Sequence, residues 1–201
     1  VLPRSAFCPG PLKWMYVSVG VLMAATMVDM YVPLFGQHLA RMSPLVAGFL
    51  GAVLAVGWTA SEIVSASMNR ARLVVRMVAV SPVVMAIGLG LAALAVDDRP
   101  GGPAIVLWVV ALFVAGTGVG TAWPHLSAWI MGAVDDPVEG GAAAAAINTV
   151  QLISGAFGAG LAGVVVNTVP GNEPTTARWL FAFFAVLAAA GVVATCRSRP
   201  A

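Results

Sequence analysis

The chain has 201 residues, 60% of them hydrophobic and 9% charged, with a mean hydropathy of +0.96. Soluble domains carry about 25% charged residues, so this composition excludes a soluble enzyme or binding domain and points to a lipid bilayer as solvent. The formal net charge of +2 rests on few, dispersed basic residues, which excludes a phosphate-binding face for nucleic acid.

A spanning helix needs about 20 apolar residues. Six runs fit, the last of them short but consistently apolar: Leu12–Gly36, Leu45–Ser67, Leu73–Val96, Ala104–Val134, Ala142–Asn167 and Trp179–Thr195. They are continuous, unlike the alternating ten-residue segments of a membrane barrel. The expected fold class is all-α: a polytopic membrane protein whose residues 1–201 form one six-helix transmembrane domain. The start, Val1 to Phe7, lacks the apolar stretch of a cleavable signal peptide. The first run is expected to act as its own insertion signal. A valine at position 1 fits a non-standard start or a piece of a longer protein.

A carboxylate inside a spanning helix costs several kcal/mol unless it is paired, protonated or facing water. The first run holds Asp29, about 22 Å of rise beyond Trp14. That is the outer third of a core about 30 Å thick. Thr26 and Pro33 share its face. The second run holds Glu62, about 27 Å from Pro44 and so in the inner third. Thr59 and Ser65 flank it, and Trp58 is adjacent. Both acids are candidates for proton coupling. The plainer reading makes them rim carboxylates that reach interfacial water.

The third run has no comparable polar residue except Arg76. The fourth is long, so it is expected to tilt, kink at Pro124 or protrude. It carries Trp123 and His125, and imidazole can relay protons near neutrality. The fifth carries Asn148 and Gln151 one turn apart, and neither amide can stay unpaired in lipid. Small residues concentrate in these two runs. Gly116, Gly118 and Gly120 precede Pro124, and Gly155, Gly158, Ala159, Gly160 and Gly163 stripe the fifth. They are expected either to pack helices closely or to form a deformable seam. Glu62, His125, Asn148 and Gln151 share a depth and are expected to converge inside the bundle. Asp29 lies too far up to join them.

Basic residues set the orientation. With the N-terminus inside, Arg4, Lys13, Arg70, Arg72, Arg76, Arg197 and Arg199 lie inside, against Arg41, Arg99 and Arg178 outside. Both termini are therefore expected in the cytosol. The acidic stretch from Asp135 through Glu139 weighs little in this rule. Trp14, Tyr16, Trp108, Trp129 and Trp179 fall near run ends as an interfacial belt, while Trp58 and Trp123 fall deeper. Cys8 and Cys196 would share the cytosolic side, where a disulfide is not expected. Enzyme signatures and clustered metal ligands are absent from the sequence, so no enzyme activity, metal or cofactor is expected.

The run Gly116-Thr-Gly-Val-Gly-Thr-Ala-Trp-Pro-His-Leu-Ser127 resembles the tenth helix of major facilitator superfamily transporters, especially proton-coupled drug exporters. The run from Asn148 to Gly158 resembles their eleventh. Asn69-Arg70-Ala71-Arg72 stands where the family has a basic Asp-Arg-x-Gly loop, with Asn for Asp and no following Gly. The resemblance implies the C-terminal six-helix half of such a transporter, built as two inverted three-helix repeats. Its first, second, fourth and fifth spans would line the pore. Asp29, Glu62, His125, Asn148 and Gln151 all fall on those four, with Trp58 and Trp123 beside them on the substrate pathway.

The expected function is export of a small amphipathic molecule across the cell membrane by proton exchange. Six helices give half a cavity. The other half would come from an N-terminal six-helix segment, a partner chain or a second copy. The alternative is a non-transporting membrane protein, either a truncated remnant or an assembly subunit.

Overall fold

A computed structural model describes residues 10–133 and 137–198, and the side chains of 137–140 are outside the description. Arg4, Cys8, Arg199, Asp135 and Asp136 therefore lie outside the described residues. The described chain contains helices and no strand. These are α1 (Pro11–Thr26), α2 (Val32–His38), α3 (Pro44–Ala66), α4 (Ala71–Ala95), α5 (Gly102–Gly132), α6 (Pro137–Thr168) and α7 (Glu173–Arg197). A 3-10 turn, Met27–Tyr31, joins α1 to α2, so the two form one span of 28 residues. Six helices are then long and apolar enough to cross a membrane, as the sequence leads one to expect.

Prolines start most of the helices, at positions where their missing N–H costs nothing. Ser43 caps α3 and Asn172 caps α7, each accepting a backbone N–H. Internal prolines are handled locally. Pro82 in α4 cannot donate to the carbonyl of Val78, and the Ser81 hydroxyl donates to it instead at 2.9 Å. Pro33 cannot donate to Asp29. The Val32 N–H takes that carbonyl one residue early, which is why the first span tightens to 3-10 form there.

Helix α5 is the centre of the bundle and packs extensively on α3 and α4. Helix α4 also packs on α7, and α1 packs on α6 and α7. Helices α3 and α4, although consecutive, do not form a packed pair. Glycines make the closest seam. A Cβ on Gly116 would stand 2.0 Å from the Leu54 carbonyl, and one on Gly120 would stand 2.1 Å from that of Trp58. Only a hydrogen at these positions lets the α3 and α5 backbones meet.

The glycines of α6 behave differently. Gly158 meets Ala24 closely, but a Cβ on Gly155 or Gly163 would make only loose contact, and Gly160 has open space. The expected stripe thus reduces to a single close contact, because α6 leans on α1 at one crossing and is largely exposed elsewhere.

The interfacial belt also needs correction. Trp179 is exposed, but Trp108 is 1% exposed and packs edge-on to Phe181, with ring centroids 5.9 Å apart. Tyr16 is buried as well. Position near a helix end does not decide which way a ring points: Trp108 faces the bundle, and Tyr16 is buried between helices at the edge of a groove.

The ends of the bundle are tied by polar contacts. At one end Lys13 and Arg197 both lie over the Trp14 ring, so the described beginning and end of the chain share a side. At the other end His38 meets Glu173, and Arg178 donates twice to the Val96 carbonyl at the end of α4.

Candidate functional site

The polar residues of the spans fall into three places rather than one. The first is the α3–α5 contact. His125 is 9% exposed, and its Nε2 lies 2.9 Å from the Ser65 hydroxyl. That hydroxyl also lies 2.8 Å from the Thr121 carbonyl. One hydroxyl carries one proton. With that proton on Thr121, His125 must donate from Nε2, which leaves Nδ1 as its acceptor when neutral. Pro124, next to His125, cannot donate to the Gly120 carbonyl four residues back.

Trp58 and Trp123 pack on each other beside this node, with centroids 5.3 Å apart and planes at 58°. Both are half-buried. Glu62 sits one turn beyond Trp58, at the same close crossing, and its backbone N is 2.9 Å from where a Gly120 Cβ would be. Its carboxylate is half-exposed and makes no hydrogen bond or ion pair with a described residue.

The second place is the break in the first span. Asp29 lies within the 3-10 turn, half-buried and without an ion-pair partner among the described residues. An acid at a broken helix inside an apolar layer has little to offset its charge except water, a proton or another segment.

The third place is α6. Asn148 is exposed and Gln151 half-exposed, and neither bonds another described residue through its side chain. Glu62, His125, Asn148 and Gln151 make no hydrogen bond with one another among the described residues, so they do not form the expected cluster by direct contact. Helices α3 and α6 are not a packed pair, because α1 and α5 lie between them in the packing order. Shared depth along the membrane does not imply shared position within it. Among the described residues no three His, Cys, Asp or Glu stand close enough to hold a metal.

Asn148 is thus exposed and Glu62, Asp29 and Gln151 are partly so, while His125 is buried. The chain is 59% identical, over 197 residues, to two curated proteins from two strains of Mycobacterium tuberculosis, each named a probable multidrug-efflux transporter. It is similar to part of an efflux transporter.

The match takes in 97% of this chain but 41% of each relative, so the chain spans about two fifths of the length of the relatives it matches. No family model matches the chain. The relatives are named as transporters, not as enzymes. The matched stretch takes in nearly the whole chain and therefore contains the six spans.

Proposed function

We propose that this chain forms half of a major-facilitator-type exporter that moves a small amphipathic molecule out across the cell membrane in exchange for protons. The observation that carries the reading is the 59% identity, along nearly the whole chain, to two fifths of proteins named multidrug-efflux transporters. The remaining three fifths of each relative is longer than this chain and has room for a second six-helix bundle.

The packing supports an inverted repeat. Number the spans one to six and exchange one with four, two with five, and three with six. The pair two–four becomes five–one, three–four becomes six–one, and three–six maps onto itself. Each extensively packed pair has its image. Consecutive spans run in opposite directions, so span four is inverted relative to span one.

Within this half, Glu62 and Asp29 are the proton carriers, and His125 with Ser65 is the relay between α3 and α5. Trp58, Trp123, Asn148 and Gln151 line the path of the substrate. Glu62 and Asp29 have no ion-pair partner among the described residues, as acids that alternate between protonation and a cavity must at some stage. Both described chain ends share a side, and the excess of Lys and Arg expected on that side supports a cytosolic orientation for it.

The test is accumulation of amphipathic fluorescent dyes in everted vesicles that carry the full-length protein. Accumulation should collapse when the proton gradient is dissipated, and Glu62→Gln should lower the gradient-driven rate at least tenfold. Equal accumulation with and without the gradient, with Glu62→Gln unchanged, would remove proton coupling from the proposal.

A further inference from the structure

A long apolar groove runs along the side of the bundle. Helix α1 is its floor, and α6 and α7, which touch each other only slightly, are its walls. It encloses ≈ 650 Å3, with Val17, Val150, Ile153, Phe157 and Leu187 along it. Its polar lining is Lys13, Tyr16 and Ser154.

Two observations at one end ask for a particular ligand. Tyr16 is 5% exposed, yet its hydroxyl has no hydrogen-bond partner among the described residues. A buried hydroxyl without an acceptor is costly, above all at membrane depth. One turn earlier on the same face is Lys13, whose Nζ lies 5.5 Å from the Trp14 ring centroid. The Arg197 guanidinium lies 4.7 Å from the same centroid. Neither cation is in an ion pair with a described residue. The groove is therefore a long apolar trough with Tyr16 and Lys13 at one end and Arg197 close by across Trp14, neither cation being ion-paired to a described residue.

We propose that this groove holds one anionic phospholipid. An acyl chain lies along α1 between α6 and α7. The phosphate meets Lys13, with Arg197 beside it, and the Tyr16 hydroxyl donates to an ester or phosphate oxygen. The two cations disfavour a cationic amphiphile in the same place. The groove is lined by none of the residues assigned to the transport path, although Val150 and Ser154 stand beside Asn148 and Gln151 on α6, and lipid retention is read without transport.

Native mass spectrometry of the purified protein tests this, using micelles with equal phosphatidylglycerol and phosphatidylcholine of matched acyl chains. One phosphatidylglycerol should be retained in preference. Each cation near a headgroup contributes about fivefold to that preference. Lys13→Gln should thus reduce it about fivefold, and Lys13→Arg should restore it. Ser154→Phe, which fills the trough, should reduce retention of both lipids at unchanged helix content. Equal retention of the two lipids by the wild type, or an unchanged preference in Lys13→Gln, overturns the proposal. So does a Val17→Cys cross-link to another part of the protein, which would show that protein covers the groove.

Discussion

Ser65 and His125 form the sole side-chain to side-chain hydrogen bond between different spans among the described residues, apart from the His38–Glu173 contact at the bundle end. Hydrogen bonds between membrane helices average about 0.6 kcal/mol and reach about 1.7. Ser65→Ala should therefore destabilise the purified protein by about 1 kcal/mol in a reversible unfolding titration. The same variant should alter the pH profile of transport if His125 relays protons, and Ser65→Thr should retain it. The His and the two acids were legible in the sequence, because charged or titratable letters are rare in apolar runs. Their partners were less legible. Ser18, Ser61 and Ser81 also sit in spans, and each donates to a carbonyl of its own helix. Nothing in the local sequence marks Ser65 as the serine that reaches across. Tyr16 was misplaced for a similar reason, since an aromatic near a helix end reads as interfacial until its neighbours are known.

Among the elements, the glycines separate into those that make contacts and those that do not. Gly116→Ala should destabilise by about 1–3 kcal/mol, because the new Cβ would meet a backbone carbonyl that cannot move without parting α3 from α5. Gly160→Ala should be neutral or slightly stabilising, since its Cβ would meet open space and Ala is the better helix former. Thermal unfolding of both variants side by side checks the contrast, and equal losses would contradict the seam described for α5. The runs of small residues looked alike in the two spans. Composition shows that a backbone can approach, not that another backbone is there. The break in the first span has its own test. Pro33→Ala should restore the regular ladder past Asp29. It should leave expression and helix content unchanged while slowing transport several-fold, if that turn is where the span deforms.

For the whole molecule, the six spans could be read directly from the sequence, because five of the apolar runs exceed the about 20 residues that the bilayer thickness requires, although the sixth run, Trp179–Thr195, falls short of the 25-residue helix Glu173–Arg197 that contains it. The lateral order of the helices could not. It depends on which backbones can approach closely, and this is why residues matched in depth, such as Glu62 and Gln151, proved to lie on helices that do not pack together. The faces left open by this arrangement fit a chain that is two fifths of its relatives. This chain alone, reconstituted into vesicles, should show no gradient-driven dye accumulation. Co-expression with the remaining part of a relative should restore it, and activity from the chain alone would favour a homodimer.

The central place of α5 also bears on biogenesis. As the chain leaves the ribosome, α3 and α4 enter the membrane one after the other with no mutual interface to hold them. Each finds its main partner only when α5 arrives, and α4 finds another when α7 does. Until then the Gly57 and Gly88 faces stand open to lipid or to insertion chaperones. Nascent chains arrested before α5 should be the ones that quality-control proteases clear fastest.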